Sequence, residues 1–147
     1  MDSKTTEDIV DECSCASENC YGKTKYPNAW LEDECYSFEQ YILNIELILK
    51  ERSKLKSKPQ DDPEVQSELS LNGSIVAAHI NLTYKCDARL QKCPYVNQLV
   101  KNSDYGKKFM DLKENSEMAK TIIRLGNENM AEISKNPCYY VDTYLQQ

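Results

Sequence analysis

The side chains of this chain that could do chemistry are its seven cysteines and its single histidine. Cys13, Cys15 and Cys20 lie close together, with C-x-C and C-x4-C spacing, and Cys35 or His79 could complete four ligands. Structural zinc sites are usually built from paired C-x2-C turns, which these spacings lack. We therefore predict no metal site, with those three N-terminal cysteines as the ligands if zinc were bound.

The cysteines also bear on the redox state of the protein. Seven is an odd number, so a full set of intramolecular disulfides would leave one thiol over. Cys35, Cys86 and Cys93 fall on apolar helical faces, where a buried thiol behaves as a small hydrophobic group. We predict that the cysteines are reduced thiols. The alternative is that they form a disulfide framework.

Catalytic groups are not indicated. A nucleophile needs a neighbouring base, and His79 lies in mid-helix on a mainly apolar stripe, which predicts a core or interface histidine. Acidic runs at Glu32–Glu34 and Asp61–Glu64 lie at helix starts, where they complement the helix dipole. The four glycines are scattered and form no phosphate-binding loop. We predict a non-enzymatic protein without a cofactor.

Composition favours helices and an acidic surface. The chain has 147 residues, 40% of them hydrophobic, with only 4 glycines and 5 prolines, too few for the many turns of an all-β fold. The net charge of -6 argues against direct nucleic-acid binding. The basic residues of Lys50–Lys58 are interpreted as a solvated helix end.

The N-terminal sequence bears on location. It is acidic and polar without the apolar core of a signal peptide, and no window approaches the ~18 apolar residues of a membrane span. The expected location is cytoplasmic or nuclear, away from the membrane.

Three long windows show the alternating four- and three-residue spacing of helices that lie along other helices. The first helix is predicted from Trp30 to Ser57, before Pro59, with its row at Leu31, Cys35, Phe38, Ile42, Ile45 and Leu49. The second follows an Asp62 cap and Pro63, with its row at Val65, Leu69, Asn72, Val76, His79, Thr83, Cys86, Leu90 and Cys93. Its neighbouring stripe predicts a wider buried face, as in a bundle: Leu71, Ile75, Ala78 and Leu82.

The third window predicts one helix after a Ser103 or Asp104 cap. Its row is Tyr105, Phe109, Leu112, Ser116, Ala119, Ile123, Gly126, Met130 and Ile133. The fold predicted is all-α: an elongated antiparallel bundle of about three long helices at residues 29–136. A Cys-containing acidic segment and linker precede it at 1–28, with a short helix around Ile9, and a tyrosine-rich tail follows at 137–147.

Partner-binding candidates come from aromatic and polar positions on these helices. The aromatic cluster at the start of the first helix is read equally as the end of the core or as a partner anchor: Trp30, Tyr36, Phe38 and Tyr41. Asn72 is predicted to fix helix register and partner choice, and His79 to lie at a core or interface. The sequons at Asn72 and Asn81 are interpreted as chance.

The functional prediction is a helical scaffold or adaptor subunit of an intracellular complex, with kinetochore, chromosome-maintenance or tethering machines as examples. It would bind helical protein partners by coiled-coil-like packing, with homo-oligomerisation left open. The alternative is a secreted, disulfide-stabilised, N-glycosylated helical ligand or effector that binds a receptor. Counting free thiols would separate the two.

Overall fold

The computed structural model of the chain describes residues 28–91 and 94–145. These residues form six α-helices and no strand, so the all-α class is confirmed for them. The helices are α1 (Asn28–Lys56), α2 (Pro63–Gln91), α3 (Pro94–Lys101), α4 (Asp104–Asn115), α5 (Glu117–Lys135) and α6 (Pro137–Tyr144). The short helix and linker predicted before Asn28 lie outside the described residues.

The two long helices α1 and α2 have nearly the predicted bounds, because local signals set their ends. Asp62 caps α2, its carboxylate accepting from the backbone N–H of Glu64 at 2.9 Å. In the preceding loop, the Gln60 amide donates to the carbonyl of Leu55 at 3.1 Å. Beneath the loop, three buried side chains close the hairpin: Leu55, Val65 and Leu69.

The third predicted helix is in fact two, α4 and α5. Ser103 caps α4 as predicted, accepting from the N–H of Gly106 at 3.2 Å. At Ser116 the backbone turns extended (φ -91°, ψ 118°), and the helix ends. The sequence Asn-Ser at 115–116 explains the break, since both side chains compete for backbone hydrogen bonds and disfavour helix interiors. The predicted count of three long helices is therefore wrong for this part of the chain.

The C-terminal residues predicted as a tail form a helix of their own. Pro137 begins α6 at its first helical position, where a missing N–H costs nothing. Val141 and Leu145 on this segment are 1% and 2% exposed. Burial of these two side chains attaches α6 to the rest of its unit.

The described residues divide into two compact units, and α1 and α2 each contribute to both. The first unit takes the described residues of Met1–Glu39 and of Lys85–Ser116. In its core the rings of Phe38 and Phe109 meet edge to face, with centroids 4.8 Å apart. Val96 and Val100 of α3 are fully buried in the same unit.

The second unit takes Gln40–Tyr84 and the described residues of Glu117–Gln147. Its α1 and α2 segments run antiparallel. Tyr41, near the start of the α1 segment, contacts His79, whereas Ile48, later in α1, contacts Asn72, which comes earlier in α2 than His79. The buried row of α1 continues here as predicted, with Ile42, Ile45 and Leu49 at most 5% exposed.

Candidate protein-binding surfaces

The second apolar stripe of α2 lies on the surface, where the sequence predicts burial. Leu71 is 63% exposed, Ile75 38% and Leu82 40%, and Ala78 is exposed as well. The prediction that this stripe widens the buried face is therefore wrong. We call these four residues the α2 stripe: Leu71, Ile75, Ala78 and Leu82.

The packing of the rest of α2 explains this exposure. Its predicted row points inward, with Val76, Thr83 and Cys86 at 0% exposed. Ala77 and Ile80, on the side of this row away from the stripe, are buried too. One flank is thus left for the α2 stripe, which keeps heptad spacing over about 16 Å of helix at 1.5 Å per residue. A row of apolar side chains on a surface is a common mark of an interaction site.

His79 lies beside the α2 stripe. Its ring meets Tyr41 of α1 edge to face, with centroids 6.3 Å apart, and its Nδ1 lies 2.9 Å from the carbonyl oxygen of Ile75. Both rings are half-buried. Two of the predicted partner-binding residues are therefore brought together, at the edge of the surface that α2 leaves open.

Asn72 takes part in an internal cluster of the second unit. It is 7% exposed, its amide nitrogen donates to the carbonyl of Ile48 at 3.0 Å, and its amide oxygen accepts from Arg52 at 3.2 Å. It joins α1 to α2 within the chain. The helices that it joins belong to one chain, whereas the prediction for Asn72 concerned register and partner choice between helices, which stays a prediction.

Arg52 is the residue that sequence reasoning missed. It was grouped with the solvated basic residues of Lys50–Lys58, yet it is 4% exposed and pairs with Asp142 of α6. That part of the basic-cluster prediction is wrong. The signal was present, because Arg52 follows Leu49 by three residues and so continues the buried row of α1.

A groove in the first unit lies between the start of α1 and α4. Its cavity volume is about 710 Å³. Apolar atoms of Phe109 and Leu112 line it, with Tyr36 and Tyr105. Its charged lining is mainly acidic, with Lys108 as the cation among the lining residues and four carboxylates: Glu32, Glu39, Asp104 and Asp111.

The predicted aromatic cluster separates into surface and core. Tyr36 is 62% exposed on the groove, whereas Phe38 is fully buried against Phe109. Phe38 thus belongs to the core, and contact with a partner would require opening the unit. Trp30 lies in α1, and its side chain is outside the described residues.

Two thiols are deeply placed in the first unit. Cys35 is 3% exposed, and burial, with a smaller effect of the Glu34 charge, raises the pKa of its thiol to about 12. Burial also raises the pKa of Cys86, whose Sγ donates to the Glu34 carbonyl at 3.2 Å. Neither thiol is in a disulfide, and neither has the electropositive surroundings of a reactive cysteine.

The described residues contain no cluster of His, Cys, Asp and Glu side chains suited to a metal ion. The candidate zinc ligands Cys13, Cys15 and Cys20 lie outside those residues. The amide of Asn72 is buried and bonded, so the folded unit leaves no room for a glycan there, while Asn81 is half-buried.

No helix in residues 28–91 and 94–145 is long and apolar enough to cross a membrane. Comparison of the chain with known protein families, curated proteins and solved structures finds no match.

Proposed function

We propose that this protein is a non-enzymatic helical adaptor that binds protein partners through helix–helix packing, as a subunit of an intracellular complex. The observation that carries the proposal is the α2 stripe. Its heptad spacing matches that of a helix that lies along another helix, and within residues 28–91 and 94–145 its side chains are exposed.

The composition of the stripe supports this use. Helix-in-groove recognition relies on apolar anchors at successive turns of one face, as found at Leu71, Ile75 and Leu82. The half-buried His79 lies beside Ile75 and contacts Tyr41, so the two rings extend the surface with groups that suit partly wet interfaces. The internal polar contacts of Asn72 hold α2 rigidly on α1, so little ordering is needed on binding.

Photo-crosslinking in the cells that naturally produce the protein tests the proposal. Ile75→benzoylphenylalanine places a reactive ring on the stripe. The control is Glu128→benzoylphenylalanine, at an exposed position of α5. We expect a reproducible protein crosslink at position 75 that exceeds the control. Adding Leu71→Lys should abolish it, because a charge cannot be buried in the seam.

Two results would contradict the adaptor proposal. One is crosslinking at position 75 that is no stronger than at position 128. The other is a position-75 crosslink that Leu71→Lys leaves intact, since that partner would not be using the stripe.

A further inference from the structure

The α2 stripe and the charged residues beside it form a symmetric sequence pattern, which binding to a different protein would not require. Its sequence pattern is symmetric about the peptide bond between Val76 and Ala77. Moving outward along α2, the pairs equidistant from this midpoint are Ile75 and Ala78, Leu71 and Leu82, and Glu68 and Lys85. The pattern is apolar at its centre and oppositely charged at its two ends.

Such a pattern is complementary to itself when two copies pack antiparallel. Each residue then faces its equidistant counterpart, so leucine meets leucine, and the larger Ile75 meets the smaller Ala78. At each end Glu68 of one copy faces Lys85 of the other. Parallel packing would instead set like charges against each other, which is unfavourable. Charge therefore selects one direction for the pair.

We propose that the occupant of the α2 stripe is a second copy of this chain, packed antiparallel through a two-fold, isologous interface. This rests on the proposed function, since it names the helix that the stripe binds. Glu68 is exposed. Lys85 also interacts within its own chain, and its ammonium group has three donors, so a carboxylate of the second copy adds to that interaction.

The dimer is expected to be weak. The stripe has only four apolar residues, along about three turns of helix, and falls short of the roughly 800 Å² per partner of a standard complex. A dissociation constant on the order of 10–100 µM is consistent with an interface of that size.

Charge reversal distinguishes antiparallel from parallel packing, when the variants and their mixture are compared with the natural chain. Glu68→Lys gives a chain with lysines at both ends of the stripe, and Lys85→Glu gives one with glutamates at both ends. Each variant alone should dimerise about tenfold more weakly than the natural chain. Mixed in equal amounts, the two should pair with each other within about twofold of the natural affinity. Sedimentation equilibrium of the full chain measures all four samples.

A matched pair of apolar substitutions locates the interface. Leu82→Lys should abolish the dimer, whereas Leu43→Lys, on α1 with a similar exposure of 44% against 40%, should leave it unchanged. Circular dichroism reports whether each variant keeps its helices. Equal effects of the two substitutions would overturn the proposed location.

The outcomes also separate this inference from the adaptor proposal. A mixture of the charge variants that pairs no better than each alone, or a natural chain that is monomeric at 1 mM, overturns the second-copy interface. If position 75 then still crosslinks to another protein in a stripe-dependent manner, the adaptor proposal stands without it. If position 75 crosslinks to nothing, both fail.

Discussion

Arg52 of α1 and Asp142 of α6 form a two-point ion pair across 90 residues of sequence. The Arg52 Nε donates to Oδ1 at 2.8 Å and Nη2 to Oδ2 at 3.1 Å. The remaining Nη1 donates to the carbonyl of Leu69 at 2.9 Å and to the side-chain oxygen of Asn72 at 3.2 Å. One guanidinium therefore ties together α1, α2 and α6. Its planar fork is what makes this possible.

We predict that Arg52→Met destabilises the protein by about 3 kcal/mol, because it removes the donor to the side-chain oxygen of Asn72 and both guanidinium hydrogen bonds to Asp142. Arg52→Lys should also destabilise, by about 2 kcal/mol, since one ammonium cannot reach three helices. Urea unfolding followed by circular dichroism measures both. The control is Lys54→Met, whose side chain is 74% exposed and should change stability by less than about 0.5 kcal/mol. Equal losses at positions 52 and 54 would contradict the cluster.

The free energy of unfolding should depend on pH through the ionisation of the Asp142 carboxyl group. The hydrogen bond from Arg52, helped by Lys56, lowers the pKa of this carboxyl against the opposing effect of burial. A group whose pKa falls on folding adds stability that is complete above its unfolded pKa of about 3.9 and is lost as pH drops towards the folded value. Urea unfolding between pH 5 and pH 2.5 should therefore show a shallower loss for Asp142→Asn than for the natural chain. Parallel curves would exclude this role.

The buried thiols should resist alkylation. At pH 8 the protonated state of Cys35 and Cys86 removes the reactive thiolate, and the fold blocks access, so iodoacetamide should label them over a hundredfold more slowly than in urea. The half-buried Cys138 should be labelled before either. Peptide mass mapping over time gives the rates. Labelling of Cys35 at its unfolded rate would show that the first unit opens readily.

Gly73 of α2 should not tolerate a methyl group. An added Cβ would lie 2.6 Å from Sγ of Cys138, so α6 could not approach α2 as closely. We expect Gly73→Ala to destabilise by about 1–3 kcal/mol, against the roughly 1 kcal/mol gain usual for this change in a helix. The exposed neighbour Ser74 is the control, since Ser74→Ala should be neutral or slightly stabilising.

A double-mutant cycle identifies the contact behind the Gly73 effect. Cys138→Ala removes the sulfur and should recover about 1 kcal/mol of the loss caused by Gly73→Ala. Additive effects of the two substitutions would place the cause elsewhere.

The polar and small residues that interrupt the predicted rows have structural explanations. Asn72 is polar because it bonds Arg52 and Ile48, and Thr83 satisfies its hydroxyl on the carbonyl of His79 at 2.6 Å. Gly126 leaves room for the ring of Tyr84, which a Cβ would meet at 2.5 Å. Ser116 ends a helix. The contacts of Thr83 and Ser116 are local, whereas those of Asn72 and Gly126 are with another helix and appear only in three dimensions.

The sequence by itself determined the all-α class and the ends of the two long helices. Helix termini depend on groups within a few residues, such as the Asp62 cap before Pro63, so local pattern suffices. The buried row of α1 was likewise predictable, because heptad spacing places those side chains on one face.

Only the tertiary structure decided which faces are covered. The α2 stripe has the same period as the buried row beside it, and periodicity cannot tell which of two adjoining faces meets a neighbour. The spacing from Leu49 puts Arg52 on the buried face of α1, but the carboxylate that neutralises it belongs to Asp142, 90 residues away, and only the tertiary structure shows that pair. Burial is a property of the assembled helices, because it is the approach of distant segments that removes water from a face.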